Sequence, residues 1–303
     1  MPVTTAAPPT TSCTWELTGP HRAPLVVALG GISAHRHVCQ TESNAQPGWW
    51  DGLVGAGLAL DTRRFRVLGI DWHTGAETVT TGDQADQLAA VLDELGVTAV
   101  HSIVGASYGG MVALAFAARY PDRVGRLTVV AAAHQTHPMA TAHRVIQRRI
   151  IRLGLAAGLP TEGVALARAL GMTTYRTAEE FAARFEPTRD YASGAFPIEG
   201  YLDHGSRRFA STWDPDRYLT LSESLDLHRV DPAAITVPLN LLGFHEDTLV
   251  PVWQLEELAA KYGGPCRLEL ASSIYGHDGF LKEVAVVGRF IGQSLGSEVR
   301  HAA

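Results

Sequence analysis

Residues 24–31 (PLVVALGG) form a short apolar run closed by a glycine pair, the pattern of a strand buried on both faces. Residues 65–70 (FRVLGI) repeat it beyond a long polar and aromatic loop that includes 47–54 (PGWWDGLV). Residues 83–95 (DQADQLAAVLDEL) carry apolar positions at helical spacing and stop at Gly96, which predicts an amphipathic helix with a C-terminal glycine. A strand over 99–104 (AVHSIV), a helix over 111–119 stopped by the Tyr120-Pro121 step, and a strand over 127–132 follow.

After residue 133 the pattern changes. Roughly a hundred Arg- and Ala-rich residues read as helix with no convincing strand, and strand patterns resume only at 237–243 (VPLNLLG) and 266–270 (CRLEL). Strands alternating with helices predict an α/β fold with a mostly parallel, helix-covered sheet. The strand-free stretch predicts an inserted helical cap over 134–235, a core made of 13–133 and 236–303, and a mobile tail over 1–12.

Composition narrows the function classes. At 303 residues and 46% hydrophobic, the chain can bury a large core and an inserted subdomain. Its net charge is −6 and its basic residues are scattered, so it lacks the electrostatic footprint of a nucleic-acid binder. Cys13, Cys39 and Cys266 are odd in number and irregularly spaced, which predicts reduced thiols in a cytoplasmic protein. The N-terminus has no positive region followed by an apolar run, and no apolar run approaches the ~20 residues of a membrane span. Neither secretion nor membrane insertion is expected.

The chemistry concentrates at three βα junctions. Gly105-Ala106-Ser107-Tyr108-Gly109-Gly110 follows a predicted strand and leads into a helix, the context of a nucleophile elbow. A serine hydroxyl attacks only when a base takes its proton, and the base needs a carboxylate to orient it. Asp247 lies in the loop after 237–243, with Glu246 as the alternative acid, and His277 lies in the loop after 266–270. The order Ser, Asp, His is that of an α/β hydrolase. Gly31 and Ile32, at the end of the first strand, and the N–H of Tyr108 are expected to form the oxyanion hole. His35 and His37 could suggest a metal, but an i, i+2 pair without a nearby third ligand predicts no metal site.

Several co-ordered stretches resemble the homoserine O-acyltransferase family of α/β hydrolases: 47–69 (PGWWDGLVGAGLALDTRRFRVLG), GASYGGMVALAFAARYPDRV around the elbow, HPMATAHRVIQRRII, GMTTYRTAEEFAARF, WDPDRYLTLSESLDLHRVD, FHEDTLVPVWQLEELA and YGHDGFLKE. The resemblance implies acyl transfer from an acyl-CoA co-substrate to homoserine for methionine synthesis, with no resident cofactor. It implies that Arg176 meets the homoserine carboxylate and Asp278 its ammonium, although Arg176 could also be an ordinary cap residue. Ala106 and Tyr108 resemble the succinyl-using members of the family more than the acetyl-using ones. The loop IDWHTGAETVTTGDQ departs from the family's asparagine-led, glycine-rich loop, leaving the acyl donor open between succinyl-CoA and acetyl-CoA. Arg144, Arg148 and Arg149 are candidates for a distal succinyl carboxylate. Family members are often homodimers. A serine O-acyltransferase, a carboxylesterase or thioesterase with the same triad, and a non-catalytic binding protein remain as alternatives.

Overall fold

The computed structural model describes residues 13–75 and 77–296. The tail predicted over 1–12 lies outside the described residues. The chain opens with β1 (Trp15–Thr18), β2 (Leu25–Leu29), the two-residue strands β3 (Val54–Gly55) and β4 (Leu60–Asp61), β5 (Arg66–Ile70) and helix α1 (Thr81–Glu94). Strand β6 (Ser102–Ala106), helix α2 (Tyr108–Arg119) and strand β7 (Leu127–Val130) follow. Five helices come next: α3 (Pro138–Ala156), α4 (Pro160–Tyr175), α5 (Ala178–Arg184), α6 (Pro197–Ala210) and α7 (Pro215–Leu227). The chain closes with β8 (Leu239–Phe244), α8 (Val252–Lys261), β9 (Cys266–Ala271), α9 (Gly279–Lys282) and α10 (Val284–Ser294).

Seven strands form one sheet in the order β1-β5-β2-β6-β7-β8-β9. Only the β1–β5 pair is antiparallel; the register of the rest is parallel, with Leu29 opposite Gly105 and Ala106 opposite Val130. All five residues of β2 and all five of β6 are buried, because helices cover both faces. Val27, Leu29 and Ile103 pack with α1 and α2 on one face, while Val26, Ala28 and Val104 pack with Phe290 and Ile291 of α10 on the other.

Several boundaries differ from those the apolar pattern predicts. Helix α1 begins at Thr81 because Thr80 caps it: the Thr80 hydroxyl accepts from Asp83 N, and the Asp83 carboxylate accepts from Thr80 N at 2.7 Å. Strand β6 runs on to Ala106 instead of ending near 104, because its pairing with β2 and β7 continues into the elbow. Helix α2 begins at Tyr108, three residues before the predicted start, since Gly109 and Gly110 mask the helical pattern. Strand β1 is an element the pattern does not predict.

The helices α3–α7 lie between β7 and β8, and Gln135 bridges Arg229 where the excursion leaves and rejoins the core. They have a small core of their own, with Ile151, Val164, Ala167 and Tyr218 buried together. Gly154 and Gly163 let α3 and α4 approach closely: a Cβ on Gly154 would lie 2.7 Å from the Gly163 Cα. Two buried polar contacts fasten α7 and its C-terminal end to the core helices α2 and α1. Tyr108 Oη meets Ser224 Oγ at 2.7 Å, and Thr81 Oγ1 meets His228 Nδ1 at 2.8 Å.

Candidate active site

Ser107 sits between β6 and α2 with φ 52° and ψ −120°, a left-handed conformation for a residue that carries a Cβ. The turn holds this strain because its neighbours leave no alternative. A Cβ on Gly105 would lie 2.4 Å from the Gly109 carbonyl oxygen, and one on Gly109 would lie 2.3 Å from that of Leu29. Gly109 N donates to Gly30 O at 2.8 Å, which ties the elbow to the loop after β2.

The structure brings Ser107, His277 and Asp247 into one hydrogen-bonded chain. Ser107 Oγ lies 2.8 Å from His277 Nε2, and His277 Nδ1 lies 2.7 Å from Asp247 Oδ2. Asp247 is held by its own loop, where Oδ1 accepts from Leu249 N at 2.9 Å and Val250 N at 3.0 Å. Burial of the His277 ring works against its protonation. The charge and hydrogen bond of Asp247, with the charge of Asp278, outweigh that burial and hold the imidazole above its ordinary value. Glu246, the alternative acid, points elsewhere and accepts from Ser273 N at 2.7 Å.

Gly31 and Ile32 follow Gly30, whose carbonyl accepts from Gly109 N next to Tyr108, and Ile32 lines the same pocket as Ser107. Among the described residues, the backbone N–H groups of Gly31, Ile32 and Tyr108 have no protein acceptor. Tyr108 occupies the first position of α2, where the unpaired N–H groups of a helix favour negative charge. Its side chain faces away into the core, edge-on to Trp72 at 4.8 Å.

Above the serine lies a pocket of about 730 Å³, its open mouth included. Ile32, Ser107 and His277 form its floor, while Arg144, Arg168 and Tyr175 of α3 and α4 belong to its walls. Arg168, Tyr175 and Gln147 do not stand out in the sequence, because a helical pattern does not show which cap positions fold over the elbow.

The expected amino-acid clamp looks different. Arg176 Nε donates to Asp278 Oδ2 at 3.1 Å and Arg176 Nη1 to Glu180 Oε1 at 2.8 Å, so the two predicted partners of one ligand are also partners of each other. Neither is among the residues lining the pocket over Ser107. The physical reason is local: a half-buried guanidinium and carboxylate side by side relieve each other's desolvation. Of the three arginines proposed for a distal carboxylate, Arg144 and Arg148 share Asp226 at 2.7 Å each, and Arg149 is exposed.

Elsewhere, both ring nitrogens of His37 are hydrogen-bonded, one to Glu16 at 2.8 Å and the other to Gln46 O at 2.7 Å. Trp50 is buried under its loop and donates to Phe280 O. Cys13, Cys39 and Cys266 are all free. Among the described residues, no helix is long and apolar enough to cross a membrane.

Comparisons with known proteins extend this geometry. The model of the α/β hydrolase fold family matches residues 24–284. A homoserine O-succinyltransferase from Xanthomonas campestris is 43% identical over 277 residues, covering 89% of this chain and 75% of that protein. A homoserine O-acetyltransferase from Thermobifida fusca is 30% identical over 328 residues, covering 93% and 86%. Among solved structures, a homoserine O-acetyltransferase from Bacillus anthracis superposes with a TM-score of 0.83 at 18% identity, covering 95% of this chain and 92% of that one. Esterase E22 superposes with the same score at 20% identity, covering 93% of each, so the fold alone does not separate a transferase from an esterase. Identity across the core and the helices over the elbow does, and the chain belongs to the homoserine O-acyltransferase family of the α/β hydrolases.

Proposed function

We propose that this protein transfers a succinyl group from succinyl-CoA to the side-chain hydroxyl of homoserine through an acyl-serine intermediate on Ser107. The observation that carries the reading is the 43% identity to a homoserine O-succinyltransferase over 89% of the chain, a match long enough to include the cap as well as the elbow.

In the first half-reaction, Ser107 Oγ attacks the thioester carbonyl while His277 Nε2 takes its proton. The oxyanion rests on N–H groups of the elbow and of the Gly31-Ile32 turn, a kind of contact that contributes roughly 3 kcal/mol per donor. The C–S bond breaks, and coenzyme A leaves with the proton from His277. In the second half, homoserine gives its hydroxyl proton to His277 and attacks the acyl-serine. Ser107 leaves, recovers the proton, and O-succinylhomoserine is released, an activated precursor for methionine synthesis. Asp247 fixes the tautomer and orientation of His277 throughout.

Water can take the place of homoserine in the second step. A transferase has to hold the acceptor close and keep water out, and the walls supplied by α3 and α4 provide enclosure over Ser107. Asp278 follows His277 in the chain and adds its charge beside the imidazole, and Arg176 is bound to it. In this reading the two receive the amino-acid end of homoserine. Coenzyme A is a co-substrate, and no resident cofactor enters any step.

Rapid mixing of the protein with succinyl-CoA, acid quenching, and mass analysis of the peptide containing Ser107 tests the first half-reaction. The expected result is a succinylated Ser107 that disappears on adding homoserine. Stoichiometric thiol release with no acylated peptide would contradict the covalent route.

A further inference from the structure

Arg168 projects from α4 into the wall of the pocket over Ser107 and is half-buried there. Its guanidinium carbon lies 4.6 Å from the Phe209 ring centroid and 5.3 Å from that of Tyr175. Among the described residues it has neither an ion pair nor a hydrogen bond, unlike Arg144 and Arg148, which Asp226 holds. No Asp or Glu is among the residues lining the pocket. Tyr175 links the two ends of the cavity, since its ring also lies 6.4 Å from the His277 ring.

An arginine stacked on aromatic rings uses its faces, which leaves the in-plane N–H donors free. Those donors form the fork that matches a carboxylate, and they stand in a pocket whose walls offer no competing anion. An unpaired guanidinium is costly to bury, so a ligand that brings a carboxylate to this position gains more than the same ligand without one.

We infer that Arg168 binds the distal carboxylate of the acyl group and makes the enzyme selective for a dicarboxylic, succinyl-type donor. The assignment rests on the transferase reading above. With the acyl carbonyl at Ser107, the dimethylene spacer carries the far carboxylate into the same pocket, whose wall includes Arg168 against Tyr175. The homoserine end, near Arg176 and Asp278, is left to the acceptor.

The test compares kcat/KM for succinyl-CoA, butyryl-CoA and acetyl-CoA at saturating homoserine, in the wild type, Arg168→Met and Arg168→Lys. Fluorophosphonate labelling of Ser107 reports that each variant is folded. Wild type should prefer succinyl-CoA over butyryl-CoA, which has the same carbon count without the charge, by about 100-fold, as expected of a charge-assisted bidentate contact. Arg168→Met should erase most of that preference, and Arg168→Lys, which keeps the charge and loses the fork, should retain part of it. Equal losses with all three donors in a labelled variant would overturn the assignment, as would a rise confined to the homoserine KM. A wild type that uses butyryl-CoA as well as succinyl-CoA overturns it without any variant and leaves the transferase reading standing. A wild type that transfers no acyl group to homoserine defeats both.

Discussion

Arg176 Nε donates to Asp278 Oδ2 at 3.1 Å, joining a residue at the end of helix α4 to the residue beside the imidazole that meets Ser107. The pair couples the position of the cap to the position of His277. It also shapes the electrostatics of the site, because the Asp278 charge helps hold the His277 imidazole up.

If this pair receives homoserine, its loss falls on the second half-reaction. Arg176→Ala should raise the homoserine KM by at least about tenfold, the value of one charge-assisted contact, while the rate of acyl-Ser107 formation changes little. Pre-steady-state acylation and steady-state transfer, measured side by side, check this. Equal slowing of both halves would show that the pair acts by positioning His277.

Asp247 has a buried carboxylate with two backbone donors on one oxygen and His277 on the other. Asp247→Asn should lower kcat by about 10⁴, because the amide stabilises the wrong tautomer and no imidazolium. Glu246→Gln, whose carboxylate serves only Ser273 N among the described residues, should cost far less. Comparable losses in the two variants would overturn the assignment of the acid.

The pH dependence carries a definite sign. Burial alone would lower His277, but Asp247 and Asp278 raise it, so the neutral base is lost as pH falls through a value above the ordinary 6.5. The acid limb of kcat/KM is expected above pH 6.5 in the wild type and at lower pH in Asp247→Asn. A limb that does not move in the variant would contradict the role of the Asp247 charge in raising the imidazole.

His228 behaves in the opposite sense. It is fully buried between Thr81 Oγ1 and Ala133 O, and burial above all pushes it down from 6.5 to about 3. The unfolded chain therefore takes a proton near pH 6.5 that the folded chain refuses until about 3. The stabilisation is complete above 6.5 and is lost as pH falls, at up to about 1.4 kcal/mol per pH unit. Denaturant midpoints between pH 7.5 and 5 should fall more steeply in the wild type than in His228→Asn, and parallel slopes would refute this origin.

The glycines of the elbow are steric requirements. Gly109→Ala would drive a Cβ to within 2.3 Å of the Leu29 carbonyl oxygen, so β2 must move. A loss of about 2 kcal/mol or more in stability, with a larger loss in Ser107 labelling, is expected from overpacking at this contact. Urea unfolding checks it, and a stable, fully labelled variant would contradict the geometry.

What is legible in the sequence follows from how local each signal is. Ser107, Asp247 and His277 each sit in a loop directly after a strand whose apolar run is visible in the chain, so their order and context can be read. Strand β1 escapes notice because it has four half-buried residues on an antiparallel edge, although the alternation Trp15-Glu16-Leu17-Thr18 is a signal that could find it. The start of α2 is misplaced because the residues that make the elbow possible, Gly109 and Gly110, are poor helix formers. Arg168 cannot be selected among the cap arginines, since what distinguishes it, the absence of an ion pair among the described residues, exists only in three dimensions. The pairing of Arg176 with Asp278 spans 102 positions and is likewise out of reach of local pattern.

The measurement that bears most directly on the account follows free thiol release from succinyl-CoA and from acetyl-CoA, with and without homoserine, and identifies the product by mass. The expected result is rapid release from succinyl-CoA that depends on homoserine, yields O-succinylhomoserine, and vanishes in a folded Ser107→Ala variant. Release that proceeds equally without homoserine and yields free succinate would contradict it and make the protein a thioesterase.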